Sequence, residues 1–343
     1  MPNKLKVLVL AGGHSEEREV SLASARAVVE ALNRLGHQVK ALDTGSGRSL
    51  LDHRGKYLLK QDHASESKIA FRKSDSLALS ESIRSDQYRD ADVVFIALHG
   101  GAGEDGTIQA LLDLAGMEYT GSGMLASALA MDKAKTKKLA EAENIPTPDW
   151  MLLKPGKCPD FEKLAETISK DFQPPVIVKP NNSGSTVGLT LVKEARRLPR
   201  ALKTAFKISA DILIEKYIKG REITVAVLGG KPLPPVEIIP SNELYDYQCK
   251  YTKGKSQYIC PAEIPDEVAQ KGLEYAAQAC ELIGCSGLAR VDFILDSRNR
   301  LYFLEVNTIP GMTELSLAPM AARKAGINFD ELIEKICRLA VDE

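Results

Sequence analysis

Two short apolar runs, Leu5 to Leu10 and Val93 to Leu98, each stop at glycines and give way to a segment with helical spacing. Gly12-Gly13 breaks the first, and Val20 to Leu35 follows it as far as Gly36. Gly100, Gly101 and Gly103 break the second, and Ile108 to Ala115 follows, closed by Gly116. Strand, glycine loop and helix in repetition leave few folds open, because strands separated by a helix pair in parallel and bury both faces. The expectation is an α/β fold with an open parallel sheet, whose strand ends are where such sheets place ligands.

The pattern changes along the chain. Residues 44 to 90 are polar and show little periodicity, which predicts loops and short elements. Leu125 to Glu143 reads as one helix, ending at Asn144-Ile-Pro146-Thr-Pro148, whose paired prolines suit a connection between domains. Beyond it, Val176 to Pro180 and Gly188 to Lys193 read as strands joined by a flexible small-residue loop. A short helix at Leu198 to Phe206, strands at Ile212 to Tyr217 and Glu222 to Leu228, a helix at Val268 to Ile283, a hairpin at Leu288 to Val306 and a final helix near Phe329 to Val341 complete the prediction. At 343 residues the length is that of two or three domains.

Composition removes several classes of function. Lys plus Arg total 45 against 46 Asp plus Glu, a net charge of -1, so no positive field is present to hold nucleic acid. No apolar run reaches the ~18 residues of a membrane span, and the N-terminal run lacks a cleavage site, so a cytoplasmic protein with no membrane partner is expected. The six cysteines form no C-x-x-C pair and have no histidine at zinc-finger spacing, and they read as buried or incidental thiols.

The hairpin is the segment richest in chemistry. Alternation places Arg290 and Asp292 on one face of the outgoing strand, with Val291, Phe293 and Leu295 on the other. On the return strand Tyr302, Leu304 and Val306 share one face, and Phe303, Glu305 and Asn307 the other. Burying the two apolar rows together sets Asp292 against Glu305, with a four-residue loop at Ser297 to Arg300. Like charges across a ladder are destabilising, so the pair is either a solvated charged face or, with Asn307 beside it, an all-oxygen set suited to Mg²⁺. Lys179, followed by Asn181 to Gly188, is either an ordinary flexible hairpin or a flap whose backbone N–H groups and hydroxyls cover phosphate. Gly121-Ser-Gly123-Met-Leu-Ala126 matches G-x-G-x-x-A, but the acids near the required offset, Glu141 and Glu143, fall within a helical pattern, which weakens a dinucleotide reading. His99 fits a core or a pocket equally well, and Glu17 fits a first-turn helix acid. Tyr245 to Tyr251 reads as a surface loop or a lid.

Taken in order, these stretches resemble the D-alanine–D-alanine ligases of the ATP-grasp superfamily. The resemblance rests on Gly12 to Leu22, His99 to Gln109, Tyr119 to Gly123 with Met131-Asp-Lys133, Tyr245 to Tyr251, Arg290-Val-Asp292 and Glu305 to Gly311. It implies an N-terminal open parallel α/β domain over 1–121 and two α+β subdomains, 122–217 and 218–343, that sandwich ATP. By the same resemblance, Lys133 and Lys179 contact ATP phosphates, Gly184, Ser185 and Thr186 close over the γ-phosphate, and Glu215 with the segment through Lys216 and Ile218 meets the adenine. Glu222 meets the ribose, and Asp292, Glu305 and Asn307 hold two Mg²⁺ ions, for which Mn²⁺ substitutes. Glu17 and His99 orient the amino group of the first D-alanine, Arg290 and the Gly311 N–H stabilise its developing oxyanion, and Lys250, Ser316 and Leu317 take the second substrate. Ser185 and Tyr251 join Glu17 in a hydrogen-bonded triad.

The implied reaction phosphorylates one D-alanine and lets the amine of another attack the acyl phosphate, yielding D-alanyl-D-alanine for the peptidoglycan precursor. Both steps build negative charge, which cations and backbone donors stabilise while closed loops exclude water. A homodimer is implied too. Asn181-Asn-Ser183 and Gln248-Cys249 depart from the family pattern, in the flap and the lid respectively. A D-alanine–D-lactate ligase or another D-amino-acid ligase of the same fold is the near alternative, and a nucleotide-binding oxidoreductase the distant one.

Overall fold

The computed structural model describes residues 3–58, 89–154, 156, 160–184, 188–241 and 256–342. The first sheet consists of β1 (Lys6–Ala11), β2 (Gln38–Asp43), β3 (Arg48–Ser49) and β4 (Val93–Ile96), in the order β3-β2-β1-β4. β1 pairs in parallel with both β2 and β4, as the repeated strand and helix predicted, and β3 adds an antiparallel edge. Val7 and Val9 pack under α1 (Arg18–Leu35), whereas Leu8 and Leu10 turn the other way into a core shared with α2 (Thr107–Ala115). Covering on both faces accounts for the unbroken apolar run. Within 44–90, β3 and an isolated bridge between Leu51 and Tyr57 bear out short elements; 59–88 lie outside the described residues.

The predicted long helix over 125–143 is two helices, α3 (Met124–Met131) and α4 (Lys133–Ala142). Asp132 breaks it. Its side chain accepts from the Lys135 N–H at 3.2 Å as the cap of α4, and also from Asn181 Nδ2 at 2.8 Å. A short acid that bonds nearby backbone competes with continued helix, and here it starts a new one at Lys133.

The second sheet, β5 (Trp150–Leu153), β6 (Val176–Pro180), β7 (Thr190–Val192) and β8 (Ile212–Lys216), is antiparallel in the order β5-β8-β6-β7. α5 (Phe161–Asp171) and α6 (Leu198–Phe206) cover one face through Val176, Val178, Ile212 and Ile214. The third sheet runs β12-β11-β9-β13-β14, comprising β9 (Gly220–Leu228), β11 (Val236–Pro240), β12 (Ser256–Ile259), β13 (Leu288–Asp296) and β14 (Leu301–Asn307), with β10 (Lys231–Pro232) on β9. α7 (Asp266–Ile283) and α3 bury one of its faces, while α8 (Leu317–Lys324) and α9 (Phe329–Val341) join its far end to the first sheet through a common core. Among the described residues, no helix is long and apolar enough to cross a membrane. Cys260, Cys280, Cys285 and Cys337 are free thiols, and Cys158 and Cys249 lie outside the described residues.

Candidate active site

The uncovered faces of the second and third sheets border an open cleft. Strand alternation decides what points into it. On β6, Val176 and Val178 face the helices, so Ile177 and Lys179 face the cleft; on β8, Ile212 and Ile214 face the helices, so Glu215 joins them. Lys179 Nζ then lies 2.9 Å from Glu215 Oε2. Lys137, one helical turn after Lys133 on α4, places its Nζ 2.9 Å from Glu215 Oε1. All three are buried, Lys137 completely. Burial pushes the Lys137 ammonium down to about 8, against the pull of Glu215. Burial raises Glu215, but Lys137 and Lys179 outweigh it and hold the carboxyl below its usual range.

The hairpin supplies the opposite wall, with one departure from prediction. Asp292 stands opposite Glu305 as expected, but the register shifts between Asp292 and Phe293, so Phe293 faces Phe303 and Leu304 is the extra residue. This β-bulge reverses the expected sides of Tyr302, Phe303 and Leu304. Phe303 enters the core edge-to-face with Phe293, ring centroids 6.2 Å apart, while Leu304 lines the cleft. A regular ladder would have put Phe303 on the same side as Glu305, where a large ring could not be buried.

Each carboxylate of the facing pair has its own cation. Arg290 Nε and Nη2 each donate to Asp292 at 2.8 Å, and Thr224 Oγ1 donates to Asp292 Oδ1 at 2.6 Å. Lys133 Nζ lies 3.2 Å from Glu305 Oε2 and donates to the Ser183 carbonyl at 2.7 Å. Two hard oxygen donors held together despite their charge, on an open cleft, fit a divalent cation such as Mg²⁺. Among the described residues no third His, Cys, Asp or Glu completes a group. Asn307 stands opposite Arg290, and its Oδ1 accepts from the Ile309 N–H at 2.9 Å; an amide oxygen has a second lone pair for another partner.

A second cluster lies next to the base of the flap. A Cβ on Gly184 would stand 3.3 Å from Glu17 Oε2 and 3.5 Å from Glu104 Oε2, so the flap base reaches the glycine loops of the first sheet. His99 Nε2 lies 3.1 Å from Ser24 Oγ, which accepts from the Met312 N–H at 3.1 Å; His99 Nδ1 lies 3.7 Å from Glu104 Oε1. A Cβ on Gly311 would meet Ser316 Oγ at 3.2 Å; Ser316 precedes α8, which begins at Leu317, and its hydroxyl accepts from the Thr313 N–H at 3.1 Å rather than from the helix. The loop carrying Glu17 is pinned by Asp43, which receives Arg18 at 2.8 and 2.6 Å and Ser46 at 2.7 Å. Burial raises the Asp43 carboxyl, but Arg18 and Ser46 overcome it and hold it low.

The cleft thus gathers Lys133, Lys179, Glu215, Lys216, Ile218, Glu222, Asp292 and Glu305 from the sequence-derived set. The Lys216 side chain points out, its Nζ 3.6 Å from Asp149. Ser185, Thr186, Lys250 and Tyr251 lie outside the described residues, as does Gln248-Cys249. Sequence reasoning missed Leu304 in the cleft, hidden by the bulge; Glu104 beside His99, inside a quoted motif; and Lys137 behind Glu215, whose spacing of four from Lys133 was the available signal. The G-x-G-x-x-A match opens α3, no strand follows that helix at the required offset, and Glu141 accepts instead from Trp150 Nε1 at 2.8 Å.

Comparison with known proteins agrees with this geometry. Residues 6–122 match the family described as "D-ala D-ala ligase N-terminus" and residues 139–338 the one described as "D-ala D-ala ligase C-terminus". The chain is 40% identical over 342 residues to a D-alanine--D-alanine ligase of Carboxydothermus hydrogenoformans, covering 98% of this chain and 99% of that protein. It is 42% identical over 335 residues to that of Nitrosospira multiformis, covering 98% and 96%. Among solved structures, the D-alanine-D-alanine ligase from Coxiella burnetii superposes with a TM-score of 0.82 at 30% identity, covering 99% and 94%. The Bacillus anthracis enzyme complexed with ATP superposes with a TM-score of 0.76 at 29% identity, covering 98% of each chain. With two sheets closing on one cleft, two family models spanning most of its length and relatives at about 40% identity, the chain belongs to the D-alanine–D-alanine ligase family, of ATP-grasp fold.

Proposed function

We propose that the protein joins two molecules of D-alanine into D-alanyl-D-alanine with hydrolysis of ATP to ADP and phosphate, the dipeptide serving peptidoglycan precursor synthesis. The observation that carries this reading is the facing of two buried lysines, Lys133 and Lys179, and two opposed carboxylates, Asp292 and Glu305, across one cleft, with Glu17 close to Gly184 at the base of the flap. ATP lies in the cleft, its base against Glu215, Tyr217 and Leu304, its ribose toward Glu222 and its phosphates toward Lys133 and Lys179. Asp292, Glu305 and Asn307 hold two Mg²⁺ ions, or Mn²⁺ in their place, which neutralise phosphate charge when bound.

The remaining roles belong to this chain's own groups. Glu17 and His99 position the first D-alanine, whose carboxylate is phosphorylated. Arg290 and the Gly311 N–H offset the charge on the carbonyl oxygen as a second amine attacks. Ser316, Leu317 and Lys250 place the second D-alanine, and Ser185, Thr186 and Tyr251 close the site against water. The unit boundaries near 121 and 217, a cytoplasmic location and a homodimer belong to the same reading; Leu114 and Leu125, exposed on neighbouring helices, supply apolar surface for such a dimer. With D-alanine as the sole amino acid, ATP and Mg²⁺ should yield ADP and a product of the dipeptide mass. Turnover that requires added D-lactate would replace this assignment with that of a depsipeptide ligase.

A further inference from the structure

Lys137 is the most completely buried cation described in the molecule, and none of the roles above uses it. Its ammonium bonds Thr147 Oγ1 at 2.6 Å and lies 2.9 Å from Glu215 Oε1, behind the cleft wall rather than in it. Glu215 has one lysine on each oxygen, Lys137 behind and Lys179 in front. The two lysines differ in their commitments. Lys179 borders the cleft, where the proposed function assigns it to phosphate, and a lysine that shares its charge with a phosphate stabilises Glu215 less. Lys137 has no such second partner within reach of the cleft.

We propose that Lys137 is a positioning residue that keeps Glu215 ionised when nucleotide phosphate shares the charge of Lys179, and thereby sets the preference for a 6-amino purine. The proposal rests on the placement of the base against Glu215. An ionised carboxylate only accepts hydrogen bonds, so it pairs with the exocyclic amine of adenine and opposes the oxygen of a 6-oxo purine. A buried carboxylate with no cation takes a proton instead, and the resulting hydroxyl donates to a 6-oxo group. The Glu215 carboxyl, held low by Lys137 and Lys179 against its burial, agrees with a shared charge, while burial lowers the Lys137 ammonium against the pull of Glu215.

The test compares ATP with inosine triphosphate, which differs at the 6-position without adding a 2-amino group, in steady-state assays with D-alanine and Mg²⁺. For Lys137→Met, which keeps the length and removes the charge, KM for ATP should rise about 30-fold with kcat changed only a few-fold, and the ATP preference in kcat/KM should fall at least about tenfold. Glu215→Gln, whose amide both donates and accepts, should lose the preference as well. The doubly neutral Lys137→Met/Glu215→Gln enzyme should bind ATP better than either single variant, because each single change leaves one member of the buried pair alone and the double change leaves neither. If Glu215→Gln leaves the preference intact, the placement of the base fails, and the proposal with it. If Glu215→Gln lowers the preference while Lys137→Met does not, the base placement stands and the role of Lys137 is overturned. Should Lys137→Met not fold, the double variant is compared with Glu215→Gln: equal or lower KM for ATP supports the pairing, and a higher KM refutes it.

Discussion

Replacing Lys133 with methionine should move two affinities in opposite directions. Its ammonium lies 3.2 Å from Glu305 Oε2, with the lysine side chain 8% exposed and that of the glutamate 27%. A divalent cation held by Glu305 would stand ~5–6 Å from that charge, and with water-like screening, the weakest limit, it is repelled by about 1.5 kcal/mol. Removing the ammonium should therefore tighten nucleotide-free metal binding about tenfold. The same ammonium is assigned to phosphate, where a hydrogen bond to a charged group is worth about 1.5–3 kcal/mol, so ATP should bind roughly 10- to 150-fold more weakly. Free Mn²⁺ measured by electron paramagnetic resonance during titration of the apoenzyme reports the first effect. Calorimetry with a non-hydrolysable ATP analogue reports the second. Weaker Mn²⁺ binding in the variant would show that Lys133 assembles the metal carboxylates instead of competing for them, and the electrostatic reasoning would be wrong.

Two further substitutions probe what holds the site in place. Asp43→Asn should destabilise the protein by about 3 kcal/mol, because it strips Arg18 of a buried bidentate partner. The native carboxyl titrates below its unfolded value of 3.8, so its contribution is complete above that pH and fades as pH falls through the folded value; the gap in melting temperature between wild type and variant should close in acid, and a constant gap would exclude the ion pair as its cause. Phe303→Ala should cost about 4 kcal/mol, typical of a buried aromatic, read from the denaturant midpoint. A loss below about 1 kcal/mol would show that the bulge does not serve to bury this ring.

Several features were legible because they depend on local order alone. The parallel sheet followed from apolar runs with glycine ends, and the facing of Asp292 and Glu305 from alternation along two strands joined by a short loop. Others depended on partners distant in sequence. Asp132 reads as an ordinary helical residue until Asn181, 49 positions away, bonds its side chain at 2.8 Å and helps hold the break before α4. The bulge at Leu304 was hidden for a related reason: strict alternation cannot show that two phenylalanines will pair edge-to-face and displace one residue to permit it.

The division has a physical basis. Periodicity, turn residues and the order of the motifs are properties of neighbours along the chain, and they determined the α/β opening, the hairpin and the family resemblance. The balance of charge in the cleft is a property of neighbours in space. Lys137 is an unremarked lysine on α4 until the fold buries it behind Glu215, where desolvation makes an unpaired charge costly and a paired one compulsory. Only the tertiary structure brought Lys137 and Lys179 to the two oxygens of one carboxylate, one behind the cleft wall and one in front.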